Sequence, residues 1–219
     1  MSSFPNSPRL VKGGLVLLDP DSGAVQRVIA LQYNPDSLSR SFQIKSVTAE
    51  GADRSDALRL KGPPVETIKL EAEIDATDRL ETQNPVATTL GIHPQLATLE
   101  LLIYPTSANL QSNNSLSQAG TLEIVPMQTP LTLFVWSRSR VMPVRLTEFS
   151  VTEEAFDPAL NPIRAKVSLG MRVLTVDDVG FDQKAGQLYM AYQQQKEQLA
   201  ALNPAVSLNV FGGVGGLNL

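Results

Sequence analysis

Residues 153–176, EEAFDPALNPIRAKVSLGMRVLTV, constrain the fold more than any other stretch of this chain. The second half of the stretch places Ala165, Val167, Leu169, Met171 and Val173 on one face and Lys166, Ser168, Gly170 and Arg172 on the other. Successive side chains of an extended chain point to opposite sides, so a period of two reads as a half-buried strand. A loop with Asp157, Pro158, Asn161 and Pro162 joins this run to a preceding strand-like run. Nothing in the stretch has the makings of an active site.

Similar patterns recur elsewhere. Ile68, Leu70, Ala72 and Ile74 alternate with Thr67, Lys69, Glu71, Glu73 and Asp75 after Pro63-Pro64, as in an antiparallel sheet wetted on one side. Leu15 to Leu18 and residues 25–33 flank DPDSG, which predicts a hairpin. Asp19, Asp21 and Gly23 lack the further ligands and terminal Glu of a calcium loop, and turn chemistry accounts for them. A strand is expected over residues 42–47, and LTLFVW, residues 131–136, is apolar enough to be central. Residues 142–152 change phase between Leu146 and Phe149, which predicts a bulge.

Helical spacing replaces the strand pattern over residues 84–103, where Pro94 suits a first turn and Pro105 a stop. Residues 48–62 read as a long exposed connection, and the charge-free stretch 107–120 as a mobile loop. Residues 183–202 lack proline and repeat Leu188, Tyr192, Gln195, Leu199 and Leu202 at spacings of three and four. This is an amphipathic helix whose apolar stripe docks on the domain or on a partner. The following residues are glycine-rich, uncharged and apolar, including Val206, Leu208, Val210 and Phe211, and are better suited to a neighbouring subunit than to water.

Enzymatic chemistry finds no foothold. Glu153 and Glu154 are adjacent on a strand and face opposite ways, so they cannot flank one bond. His93, the only histidine, has no second His or Cys to complete a metal site and reads as a loop or cap residue. GGVGG lacks the Lys-Ser/Thr of a phosphate loop, and no cofactor or metal site is expected. The absence of cysteine removes disulfides and thiolates, and a net charge of −4 argues against a general nucleic-acid binder. No signal-peptide core and no apolar run of about 18 residues occurs, so a cytoplasmic chain without direct membrane insertion is expected.

Three stretches in this order resemble the tube-domain family of contractile injection systems, phage-tail-like particles that drive a rigid tube into a target. They are ALQYNPDSLSRSF from Ala30, LRLKGPPVETIKLEAEIDATD from Leu58, and FVWSRSRVMPVRLTEFSVTEEAFDPALNPIRAKVSLGMRVL from Phe134, with GIHPQLATLELLIYP between the last two. The resemblance implies a mainly β domain of two packed antiparallel sheets over residues 10–178, a β-sandwich with a short helix. An arm (residues 1–9) would precede it and the helix and Gly-rich tail (179–219) would follow. It further implies a six-fold ring around a lumen, within a particle that is released or docked at a membrane. Baseplate members of the family often carry a LysM module, and no such pattern follows Val176.

The expected role is therefore structural: an adaptor that starts the tube, contacting the inner tube protein and the baseplate or spike hub, or a terminator at the distal end. Phe156, Asp157, Asn161 and Arg164 around the DPALNP loop are candidates for a subunit contact, as are Leu188, Tyr192, Leu199 and Phe211 of the C-terminal region. The loop also reads as an ordinary hairpin whose Asp and Asn bond their own backbone. Arg138, Arg140, Arg145, Arg164, Lys166 and Arg172 form either a solvated strand face or a surface that meets an acidic neighbour or lines a polar channel. A rival of another class is a β-sandwich ligand-binding module using loops 48–62 and 107–120, although Trp136 sits in the most apolar strand and suits the core.

Overall fold

The computed structural model describes residues 11–46, 59–118, 120 and 129–204. The chain runs β1 (Gly14–Leu18), β2 (Val25–Ala30), β3 (Leu38–Gln43), β4 (Val65–Asp75), α1 (Thr77–Glu81), α2 (Pro85–Leu90) and α3 (His93–Glu100). It continues through α4 (Ser107–Gln118), β5 (Leu131–Ser137), β6 (Arg140–Phe156), β7 (Pro162–Val173) and α5 (Lys184–Ala201). The strands form one antiparallel sheet of seven, in the order β2-β1-β5-β6-β7-β4-β3.

This corrects the expectation of two packed sheets, and the reason lies in β6. Its first residues, up to Val144, pair with β5, and Val144 onward pairs with β7. One strand belongs to both halves and joins them into one hydrogen-bonded sheet. Leu15 and Phe134 from one half join Ile68, Val167, Leu169 and Met171 from the other in a single buried cluster, closed by Leu96 and Leu99 of α3. The alternating residues of β7 and β4 face that core, as their period requires.

The bulge falls where the phase change predicts it. Leu146 pairs with Met171 and Glu148 with Gly170, leaving Thr147 without a partner. Gly170 permits this, since a Cβ there would lie 2.8 Å from Cβ of Glu148. LVLL and LFVW are continuous apolar runs because β1 and β5 are covered on both sides. Leu15 and Phe134 face the main core. Leu18, Leu131 and Leu133 form a second cluster with Ala185 of α5, packed against Leu188. The amphipathic helix thus docks on its own domain.

Other expectations need correction. Residues 107–118 form helix α4 rather than a loop, because the stretch contains no glycine or proline and Thr106 caps it, its Oγ1 accepting from Asn109 N at 3.2 Å. Strand β3 begins at Leu38, ahead of the residues 42–47 expected, and two short helices precede α3. The DPDSG turn forms as expected, with Asp19 Oδ1 accepting from Ser22 N at 2.8 Å. The arm 1–9, most of the connection 48–62 and the tail after Pro204, with Phe211, lie outside the described residues.

Opposite faces of β4 predict opposite mutational costs. Ile68 is fully buried, and Ile68→Ala is expected to cost about 2–5 kcal/mol. Lys69, beside it, makes only an exposed pair with Glu148 at 2.7 Å, and Lys69→Ala is expected to cost under about 1 kcal/mol. Denaturant midpoints of the two variants check the contrast.

Candidate assembly interface

The hairpin between β6 and β7 is built from its own side chains. Asp157 Oδ1 accepts from Ala159 N and Asn161 N, both at 2.8 Å, and Asp157 Oδ2 accepts from Asn161 Nδ2 at 2.8 Å. Asn161 Nδ2 also donates to Thr89 O at 3.2 Å, tying the loop to α2. Ile92 N donates to Pro162 O at 2.9 Å, and Gly91, with φ of 57°, makes room because a Cβ there would collide with that carbonyl. Two of the stretches carrying the family resemblance, GIHP and DPALNP, are thereby clipped together.

Hydrogen bonds hold this end ionised. The Asn161 side chain and amide, with Ala159, keep the Asp157 carboxyl below its ordinary value. Burial pushes Asp75 up, but bonds from the Thr77 hydroxyl and amide and from Arg164 outweigh it and leave its pKa lowered. Arg164 Nε donates to Asp75 Oδ2 at 2.8 Å and lies 3.6 Å from Glu73. Phe156, opposite Pro162 in the strand register, is half exposed.

The basic residues of β7 are matched by acids of the same chain. Lys166 meets Glu154 at 3.4 Å and Arg172 meets Asp178 at 2.6 Å, as Arg164 meets Asp75. With Lys69–Glu148 they form a ladder of exchanged charge across the outer face of β4, β7 and β6. Glu153 pairs with Ala165 and Glu154 with Arg164 in the strand register, so the adjacent carboxylates face opposite ways. His93 opens α3 with an exposed side chain.

A buried ionic knot was missed in the sequence. Glu66 is only 3 % exposed, yet it points inward in phase with Ile68 and Leu70. Arg40 reaches it at 2.5 Å, Lys196 at 3.3 Å, and Tyr192 Oη donates to it at 3.4 Å. Arg40 also donates to Tyr192 Oη at 2.8 Å, and Lys196 Nζ lies 4.0 Å over the Tyr192 ring. Burial, then the Glu66 charge, pushes the Tyr192 hydroxyl up to about 12. The available signal was the phase of β4, which puts a carboxylate where the core-facing series begins.

Of the other candidate contact residues, Tyr192 is 4 % exposed and lies in the chain's own core, and Leu188 is partly buried against the second cluster. Leu199 is exposed, past the point where Lys196 anchors the helix. The features suggesting a ligand-binding module are reduced: residues 107–118 are helical, and Trp136 stacks on Phe134 with ring centroids 5.9 Å apart. No described helix is long and apolar enough to cross a membrane.

No protein-family model and no curated protein matches the chain. Among solved structures, one similar to it is the tail of an empty GTA particle with C6 symmetry. That chain is 13% identical, the match covers 74% of this chain and 90% of that one, and the TM-score is 0.27. Likeness at that level decides neither fold nor function.

Two measurements check these networks. Glu66→Ala leaves Arg40 without its carboxylate and Tyr192 without its acceptor, and is expected to cost about 3–5 kcal/mol. Asp75 and Asp157 have lowered folded-state pKa values, so their stabilisation is complete above the unfolded value of about 3.9 and is lost as pH falls through the lower folded values. Asp157→Asn is expected to flatten the acid limb of a stability–pH profile below about pH 4 while leaving the limb above it unchanged.

Proposed function

We propose that this protein is a structural subunit that closes into a ring of the phage-tail-like tube type, and that its work is assembly rather than chemistry. The observation that carries the reading is the half-sheet β6-β7-β4-β3. Among the described residues, β3 pairs only with β4, and β6 beyond Val144 pairs only with β7, so both edges of this four-strand unit are open. Open edges are a liability that closed assemblies remove.

The strand directions suit closure. β3 is antiparallel to β4, β4 to β7 and β7 to β6. Rotation about an axis along the strands therefore brings β3 of one copy beside β6 of the next in antiparallel sense. The outward face of the unit carries paired charges and hydroxyls, which suits the wall of a water-filled lumen. Six copies per ring follow the family resemblance of the sequence.

The finer role we favour is an adaptor at the baseplate that starts the tube, because the sequence carries, beyond the tube-like domain, α5 and an uncharged apolar stretch suited to a second neighbour. A distal terminator is the alternative. Electron microscopy of particles from cells lacking the protein separates them: loss of tubes and sheaths supports the initiator, and particles of abnormal length support the terminator. Wholly normal particles would overturn the reading.

Phe156→Ala with Arg164→Ala tests the hairpin as a subunit contact. Both residues are substantially exposed, and the mostly buried Asp75 keeps its bonds from the Thr77 amide and hydroxyl, so the folded monomer is expected to lose at most about 1–2 kcal/mol. The oligomer is expected to dissociate, and an unchanged mass by sedimentation would sink the contact.

A further inference from the structure

The seven-stranded sheet ends at β2, in the half that the four-strand unit does not include. Among the described residues, β2 pairs only with β1. The strand is exposed at every position but Ile29, and its exposed residues include the apolar Val25 and Val28.

The register shows which backbone groups are free. Leu31 N donates to Gly13 O at 2.9 Å, its direct opposite when the pairing of Gly14 with Ala30 is continued by one step. Antiparallel partners alternate between pairs that exchange backbone bonds and pairs that do not. Counting back from Leu31, Ile29 and Arg27 bond to β1, while the N–H and C=O groups of Val28 and Ala30 point away from it. Among the described residues, no backbone group answers them.

A groove of about 600 Å³ runs along this edge. Val28, Ile29 and Leu31 line one side, and Ile74 of β4, Ala87 of α2 and Leu99 of α3 line the other. Spread along the roughly 20 Å of β2, that volume leaves a cross-section of about 30 Å², which holds one extended chain and not the edge of a second sheet. The lining also carries Lys12, Arg79 and Glu73. Glu73 lies 3.6 Å from Arg164, whereas neither Lys12 nor Arg79 is paired with an acid among the described residues.

We propose that this edge receives an extended segment of a different protein, which adds an eighth strand beside β2 and lays alternate apolar side chains into the groove, with acidic residues between them. Each part of the site selects one property of the occupant. The free groups of Val28 and Ala30 select an extended chain, since a strand presents its own N–H and C=O at that spacing. The narrow groove, walled by β4, α2 and α3, selects a lone strand over a second copy of this folded chain. Lys12 and Arg79 select carboxylates. The ring reading uses the edges at β3 and β6, so this contact stands or falls independently of it. Joining the chain to a different protein is also what the adaptor role requires.

The probe is a short dye-labelled peptide that alternates valine with glutamate, added to the full-length protein and followed by fluorescence polarisation. It is expected to bind at least about tenfold more tightly than its valine–lysine counterpart. Hydrogen exchange at the Val28 and Ala30 amides is expected to slow at least about tenfold when it binds. Lys12→Glu together with Arg79→Glu should weaken the glutamate peptide about tenfold. Val28→Pro removes an outward N–H without touching the bonds to β1, so it should abolish binding with little change in thermal unfolding, and Val28→Ala should retain binding. Binding that leaves exchange at Val28 and Ala30 unchanged, or that survives Val28→Pro, would overturn the strand addition. Equal binding of the two peptides, or none of either at about 1 mM, would overturn the acidic partner.

Discussion

The long pairing of β6 with β7 is the constraint on which the rest of the molecule depends. β6 contributes its start to one half of the sheet and its remainder to the other, so the two halves share a strand and cannot separate without breaking its ladder. The apolar series of β7 is buried along its length against residues from both halves. The bulge at Thr147 is accommodated by the missing Cβ of Gly170.

Charge is used in two ways in this fold. On the outer face, Lys69–Glu148 and Lys166–Glu154 are solvated cross-strand pairs, each a minor contribution that water screens. At Glu66 the carboxylate is withdrawn from solvent, and its desolvation is offset only because Arg40, Lys196 and Tyr192 all converge on it. The four groups come from three elements far apart in sequence: Glu66 from β4, Arg40 from β3, and Tyr192 and Lys196 from α5. Glu66 thus fixes where the C-terminal helix lies and the direction in which its exposed end points.

The opposite end of the sheet has a different construction. Hydrogen bonds accepted by the Asp157 carboxylate hold a loop in which Leu160 is left-handed, as is Ala155 at the end of β6. Rigidity achieved at a cost in backbone strain, with Phe156 and Leu160 left facing outward, separates this hairpin from an ordinary connection. The asymmetry between a strained apolar loop at one end and a projecting helix at the other gives each subunit a direction.

The sequence alone determined the elements whose pattern is periodic over many residues. The alternation of β4 and β7, the β1–β2 hairpin, the bulge in β6 and the amphipathic α5 are visible because burial on one face imposes a period on the residues themselves. The loop residues Asp157 and Asn161 were visible too, since turns select them. Only the tertiary structure decided what depends on distant partners. That β6 serves both halves, making one sheet of the two expected, is a matter of which strands it pairs with. The helix at 107–118 rests on a single cap in a stretch without periodicity. The Glu66 knot requires a side chain 130 positions away, Lys196, to arrive at a particular point in space, and no local pattern encodes that meeting.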